Sequence, residues 1–153
     1  MIPKKTRDQY TIAIHEAGHA LVALIYGVPF DKISLIADGG EVQFNGRYAE
    51  FPANAQIHMA GTIAELIHEK KIGTFLENGG VLIGGTDGEH LRDAMKKNIE
   101  DDDEAIPLFS WLFVRTAKQL MRRWPYVLKL ANELIKKGTL SYKECLAMIP
   151  PKK

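Results

Sequence analysis

One short run, His15-Glu16-Ala17-Gly18-His19, puts residue types that can do chemistry at a spacing that lets them act together. Residues four apart advance a helix by about 400°, at about 100° each, so His15 and His19 project from one face. Two imidazoles placed in this way can bind one zinc ion, and Glu16, about 100° round from His15, can still lean toward it. A carboxylate there can take a proton from a metal-bound water, which is the machinery of metal-assisted peptide hydrolysis. The competing reading is a chance match, with both histidines merely satisfied or exposed. What decides between the two is how the rest of the chain positions this helix.

The chain has 153 residues, enough for one domain (1–153) with a sizeable core. Its hydrophobic fraction of 46% and charged fraction of 25% are ordinary for a soluble globular protein, and a formal net charge of +1 gives no nucleic-acid footprint. The one cysteine, Cys145, excludes an internal disulfide and fits a reducing compartment, as a small buried hydrophobe. The start, Met1-Ile2-Pro3-Lys4-Lys5, has no secretory pattern. The longest apolar stretch, Ala105 to Val114, is far short of the ~20 residues a spanning helix needs. The expectation is a cytoplasmic protein with neither membrane nor nucleic acid as partner.

The first helix is expected to open at a capping box, Thr6-Arg7-Asp8-Gln9, and to end at Gly27 and Pro29, with Ile14, Leu21 and Ile25 as its apolar stripe. Gly18 costs roughly 1 kcal/mol in a helix interior, which close approach by another element would explain. Lys32 to Ile36 reads as a strand with Ile33 and Leu35 on one face. Asp38-Gly39-Gly40 reads as a turn into Glu41 to Phe44, and Arg47 to Phe51 as a short third strand. Pro52 opens a second helix to about Lys71, whose small residues Ala60, Gly61 and Ala64 are expected to meet Gly18. His58 and His68, ten positions apart, are not at ligand spacing.

Gly73 to Gly85 lacks the lysine of a phosphate loop and reads as a flexible connection. Thr86-Asp87-Gly88-Glu89 caps a third helix to about Ile99, with His90 in its first turn. Asp101 to Glu104 reads as a solvated acidic loop before a fourth helix, Pro107 to Trp124, whose aromatics belong to the core. A fifth helix runs from Pro125 to Gly138, and Ser141 to Glu144 caps a short sixth that Pro150-Pro151 stops. The fold class expected is α+β and mainly helical, with about six helices and a small two- or three-stranded sheet.

Taken in order, these segments resemble the peptidase domain of the FtsH family of ATP-dependent zinc metalloproteases. His15-Glu16-Ala17-Gly18-His19-Ala20-Leu21 is similar to that family's zinc-binding helix, and Lys32-Ile33-Ser34-Leu35-Ile36 to the strand after it. Met59-Ala60-Gly61-Thr62-Ile63-Ala64-Glu65 is similar to its helix with a glycine and an Ala-Glu pair, and Leu134 to Ser141 to its C-terminal helical hairpin. The resemblance implies a zincin-like fold, a Zn²⁺ cofactor held by His15 and His19, and Glu16 as catalytic base.

In that family the third ligand is an aspartate just before a leucine, four positions ahead of an alanine. Here Glu89-His90-Leu91-Arg92-Asp93-Ala94 puts His90 in that place, giving three neutral imidazoles and a more positive ion. Asp87, three residues earlier, is the alternative third ligand, although it is equally suited to cap the helix. Glu65 is a candidate acceptor for the far ring nitrogen of a ligand histidine, or else a surface glutamate.

The family's AAA+ module and membrane anchor have no counterpart in these residues. The expectation is therefore ATP-independent endopeptidase action on unfolded or flexible protein segments, with a separate unfoldase or further copies of the chain as possible partners. Ile33, Ser34 and Leu35 are expected to pair with an extended substrate. The rival reading is a regulatory or interaction module that keeps the metal without turnover.

Overall fold

A computed structural model describes residues 8–36, 39–43, 50–70 and 102–150. Helix α1 runs Gln9–Ile25. Its cap is Asp8 rather than Thr6: the Asp8 carboxylate accepts the Thr11 backbone N–H at 2.7 Å, and that bond holds the carboxyl below its usual pKa. An amphipathic stripe understates α1, because Ala13, Ile14, Ala17 and every residue from Ala20 to Ala23 are fully buried. A helix apolar nearly all round belongs in the centre of a fold, and α1 is that centre. It stops where Gly27 takes φ 67°, a left-handed conformation that glycine adopts without strain.

Helix α2, Ala53–His68, lies against α1 at the small residues. A Cβ built on Gly18 would fall 2.7 Å from the Ala60 carbonyl oxygen and 2.7 Å from Ala64 Cβ, so the crossing is as close as the sequence suggested. Neither obstacle can swing aside. Gly18→Ala is therefore expected to destabilise the protein by about 1–3 kcal/mol through overpacking, despite alanine's better helix propensity. A lowered urea midpoint with an unchanged m-value would show it, whereas an unchanged or raised midpoint would refute the close crossing.

Helix α3, Asp102–Arg122, packs on α2, and helix α4, Trp124–Lys137, packs on α1. Leu112, Phe113, Ala117 and Leu120 of α3 are buried at helical spacing. A buried polar ring ties three elements together. Tyr26 donates to Gln56 Oε1, Gln56 Nε2 donates to Thr116 Oγ1 at 3.1 Å and Gln119 Oε1 at 3.3 Å, and Gln119 Nε2 returns to the Tyr26 oxygen at 3.0 Å. These bonds fix the start of α2 against α1 and α3, as buried amides require.

The sheet is antiparallel, in the order β2-β1-β3, from β1 Lys32–Ile36, β2 Gly39–Gln43 and β3 Thr139–Ser141. Ile33, paired with Val42 and Leu140, sends its face into the core. This order corrects the role expected of Ile33, Ser34 and Leu35. β1 is the central strand: β2 pairs along its whole length, β3 pairs with Lys32 to Ser34, and the Leu35 N–H is taken by the Gly138 carbonyl at 2.9 Å. No backbone edge is left on these residues for a substrate strand, and Ile33 is fully buried.

Other expectations shift in smaller ways. Gly39 and Gly40 lie in β2, not in the turn. The third strand comes from the C-terminal end of the chain; of the Arg47 to Phe51 stretch only Glu50 and Phe51 are described, and neither is strand. The acidic residues Asp102 to Glu104 begin α3, with Pro107 inside it, and Trp111 is exposed at 52% beneath the Arg115 guanidinium. Gly138, at φ 77°, ends α4, and the Ser141–Glu144 capping box opens α5, Tyr142–Ala147, as expected. Burial pushes the Cys145 thiol up to about 12, which suits a packed rather than reactive cysteine. The architecture is thus mainly helical with a small three-stranded sheet, and its described elements share one hydrophobic cluster. Among the described residues no helix is long and apolar enough to cross a membrane.

Candidate metal centre

The helical spacing of His15 and His19 delivers what it implied. Their Nε2 atoms lie 3.0 Å apart and their rings meet edge-on, with centroids 4.7 Å apart. Each ring is held from behind by its other nitrogen. His15 Nδ1 donates to the Glu65 carboxylate, and His19 Nδ1 donates to the Ile57 carbonyl at 2.6 Å. Both acceptors stand on α2, so the α1–α2 crossing that Gly18 permits is also what aims the two imidazoles.

These partners place a proton on each Nδ1. A backbone carbonyl can only accept, so His19 carries its proton on Nδ1, and a carboxylate places the proton of His15 on Nδ1 likewise. The two Nε2 atoms meet at hydrogen-bond distance, and once both rings are neutral their lone pairs converge on one point. Two nitrogens bound at ~2.0–2.1 Å with a tetrahedral angle stand about 3.3 Å apart, near the observed separation. An imidazole whose far nitrogen donates to a carboxylate or carbonyl is the usual form of a metal-ligating histidine. The pair thus supplies two of the nitrogen donors that a zinc site uses.

Glu16 is buried, with 6% of its surface exposed, and its side chain lies against β2. A Cβ built on Gly40 would fall 2.5 Å from Glu16 Cγ and 3.0 Å from Oε1, so the strand carries glycine where the glutamate must pass. The strand that reaches the site is thus β2, through Gly40, and not β1. Gly61 of α2 closes the other side, beneath the histidine pair.

Of the residues expected here, His15 meets His19 and Glu65, while Glu16, next to His15 on α1, packs against Gly40 of β2. His90 and Asp87 lie outside the described residues, and among the described residues no group of three His, Cys, Asp or Glu side chains converges. His68 packs edge-on against Tyr10, and His58 is half-buried on α2, so neither belongs to the pair. Three contributors were not anticipated. The Ile57 carbonyl is a backbone group, which no residue type announces. Gly61 was visible only as one of several small residues on α2, and Gly40 only as half of a turn signal. A cleft of about 910 Å³ near the C-terminal end of α1, lined by Leu21, Tyr26, Arg123, Tyr142 and Leu146 among others, touches none of the site residues. No family model matches the chain, and no curated protein matches it either.

Proposed function

We propose that this protein is a zinc-dependent endopeptidase of zincin-like fold, similar to the FtsH-type peptidase domain, that hydrolyses peptide bonds in unfolded or flexible protein segments. The observation that supports this reading is the converging Nε2 pair with each Nδ1 already engaged, next to a buried glutamate. His15 and His19 would hold the zinc with His90, or alternatively Asp87, as third ligand. When bound, zinc supplies a Lewis acid that acidifies water and polarises the scissile carbonyl.

Glu16 accepts the proton of the attacking water as its oxygen bonds to the carbonyl carbon. It returns that proton to the amine as the carbon–nitrogen bond breaks. Glu65 and the Ile57 carbonyl keep both imidazoles in the tautomer that offers Nε2. Burial of Glu16 and of His19 keeps bulk water from competing for these bonds.

The test is joint. The purified protein should carry about one zinc per chain and cleave casein, and a chelator should stop the cleavage until zinc is restored. Bound zinc without any cleavage across a broad peptide library would replace the enzyme reading with the regulatory module. Absence of zinc binding would end both.

A further inference from the structure

Gly61 supplies no donor atom, yet it lies directly against the histidine pair. A Cβ built on it would contact His19 Nε2 and would fall 2.5 Å from His15 Nε2 and 2.7 Å from His15 Cδ2. We propose that Gly61 is the cradle residue of the metal site: the side chain it lacks is the space in which the two imidazoles bring their Nε2 atoms together against α2. This inference rests on the zinc reading above and adds a residue to it.

Three observations exclude the ordinary reasons for a glycine here. The backbone does not need one, because among the described glycines only Gly27 and Gly138 have positive φ, and Gly61 sits inside α2. The helix does not favour one, since glycine weakens a helix interior relative to alanine. Nor is the interhelical approach its task. At Gly18 the missing Cβ makes room for α2 itself, through the Ala60 carbonyl and Ala64, whereas the atoms nearest a Cβ at Gly61 all belong to the two imidazoles.

The rings themselves fill that space. Carbon normally stays more than about 3 Å from a nitrogen, and a hydrogen-bonded water about 2.8 Å. A point 2.5 Å from the His15 Nε2 and 2.7 Å from its Cδ2 is therefore closed to a methyl group while the ring keeps its place.

The consequence is a variant that folds and does not bind. The obstacles to a new methyl group are the ends of two side chains, which can turn away at the cost of their bonds to Glu65 and Ile57. In metal-free Gly61→Ala the helices are thus expected to persist, with the circular dichroism of the wild type. Zinc affinity, measured by competition with a chromophoric chelator, should fall at least 100-fold. The cobalt-substituted protein should lose the absorption of a histidine-ligated site.

A background lacking both rings provides the control. In His15→Ala/His19→Ala, adding Gly61→Ala should leave the urea midpoint unchanged or raised, because the methyl group then has room. If wild type binds zinc and Gly61→Ala binds it as tightly, the cradle is wrong and the zinc site stands. Wild type that binds no zinc overturns both. If Gly61→Ala fails to fold, the triple variant decides: a folded triple variant supports the conflict with the rings, and an unfolded one makes Gly61 a fold requirement and overturns the proposal.

Discussion

Glu16→Gln is expected to keep its zinc and its fold while losing about 10²–10⁴-fold in kcat, the range that positioned general bases contribute. The substitution preserves shape at a buried position and removes only the capacity to take a proton. Because Glu16 follows His15 directly on α1, the histidine pair and the proposed base share one rigid element. The change should appear in kcat rather than in KM, as the amide still fills the space beside β2. Zinc content, circular dichroism and casein cleavage measured on one preparation test it. Undiminished, chelator-sensitive cleavage by the variant would remove Glu16 as the base, and undiminished cleavage that ignores chelator would indicate a contaminating protease. Gly40→Ala approaches the same point from the strand, since the atoms nearest its methyl group all belong to Glu16.

How far the site could be read in advance follows from what kind of atom does each job. The histidine pair was legible because helical period fixes the relation of positions 15 and 19 without any tertiary knowledge. Glu65 is separated from His15 by fifty residues, and only the pairing of α1 with α2, hinted at by Gly18, Ala60 and Ala64, brings them together. The Ile57 carbonyl was illegible in principle, since every residue has one.

Strand order was lost for a different reason. Thr139 joins Ser34 across 105 positions of sequence, and a three-residue strand leaves no periodic trace of such a pairing. Gly39-Gly40 imitated a turn because glycine marks turns most often, while here Gly40 serves a packed glutamate. The acidic run imitated a loop although negative charge is also favourable in a helix's first turn, and that second preference prevailed in α3.

Zinc is expected to stabilise the folded wild type by about 1.4 kcal/mol for each tenfold rise above its dissociation constant, reaching about 4 kcal/mol at a thousandfold excess. The gain arises because the two Nε2 atoms are brought together only when α1 is helical and α2 aims both rings, so the ion binds the native state far better than the unfolded chain. His19→Ala is expected to abolish that dependence. It removes one of the donors and strips the Ile57 carbonyl of a partner in a buried setting, so the metal-free variant also starts out about 1–3 kcal/mol weaker. Glu65→Ala lies between these extremes: the ring of His15 loses its anchor, and zinc affinity should fall 10–100-fold with the slope retained. Urea unfolding across a series of buffered zinc concentrations separates the three proteins by slope and offset. A wild-type midpoint that ignores zinc would mean that the pair of imidazoles is a packed feature of the core and not a metal site. Equal slopes for wild type and His19→Ala would place the ion elsewhere in the chain.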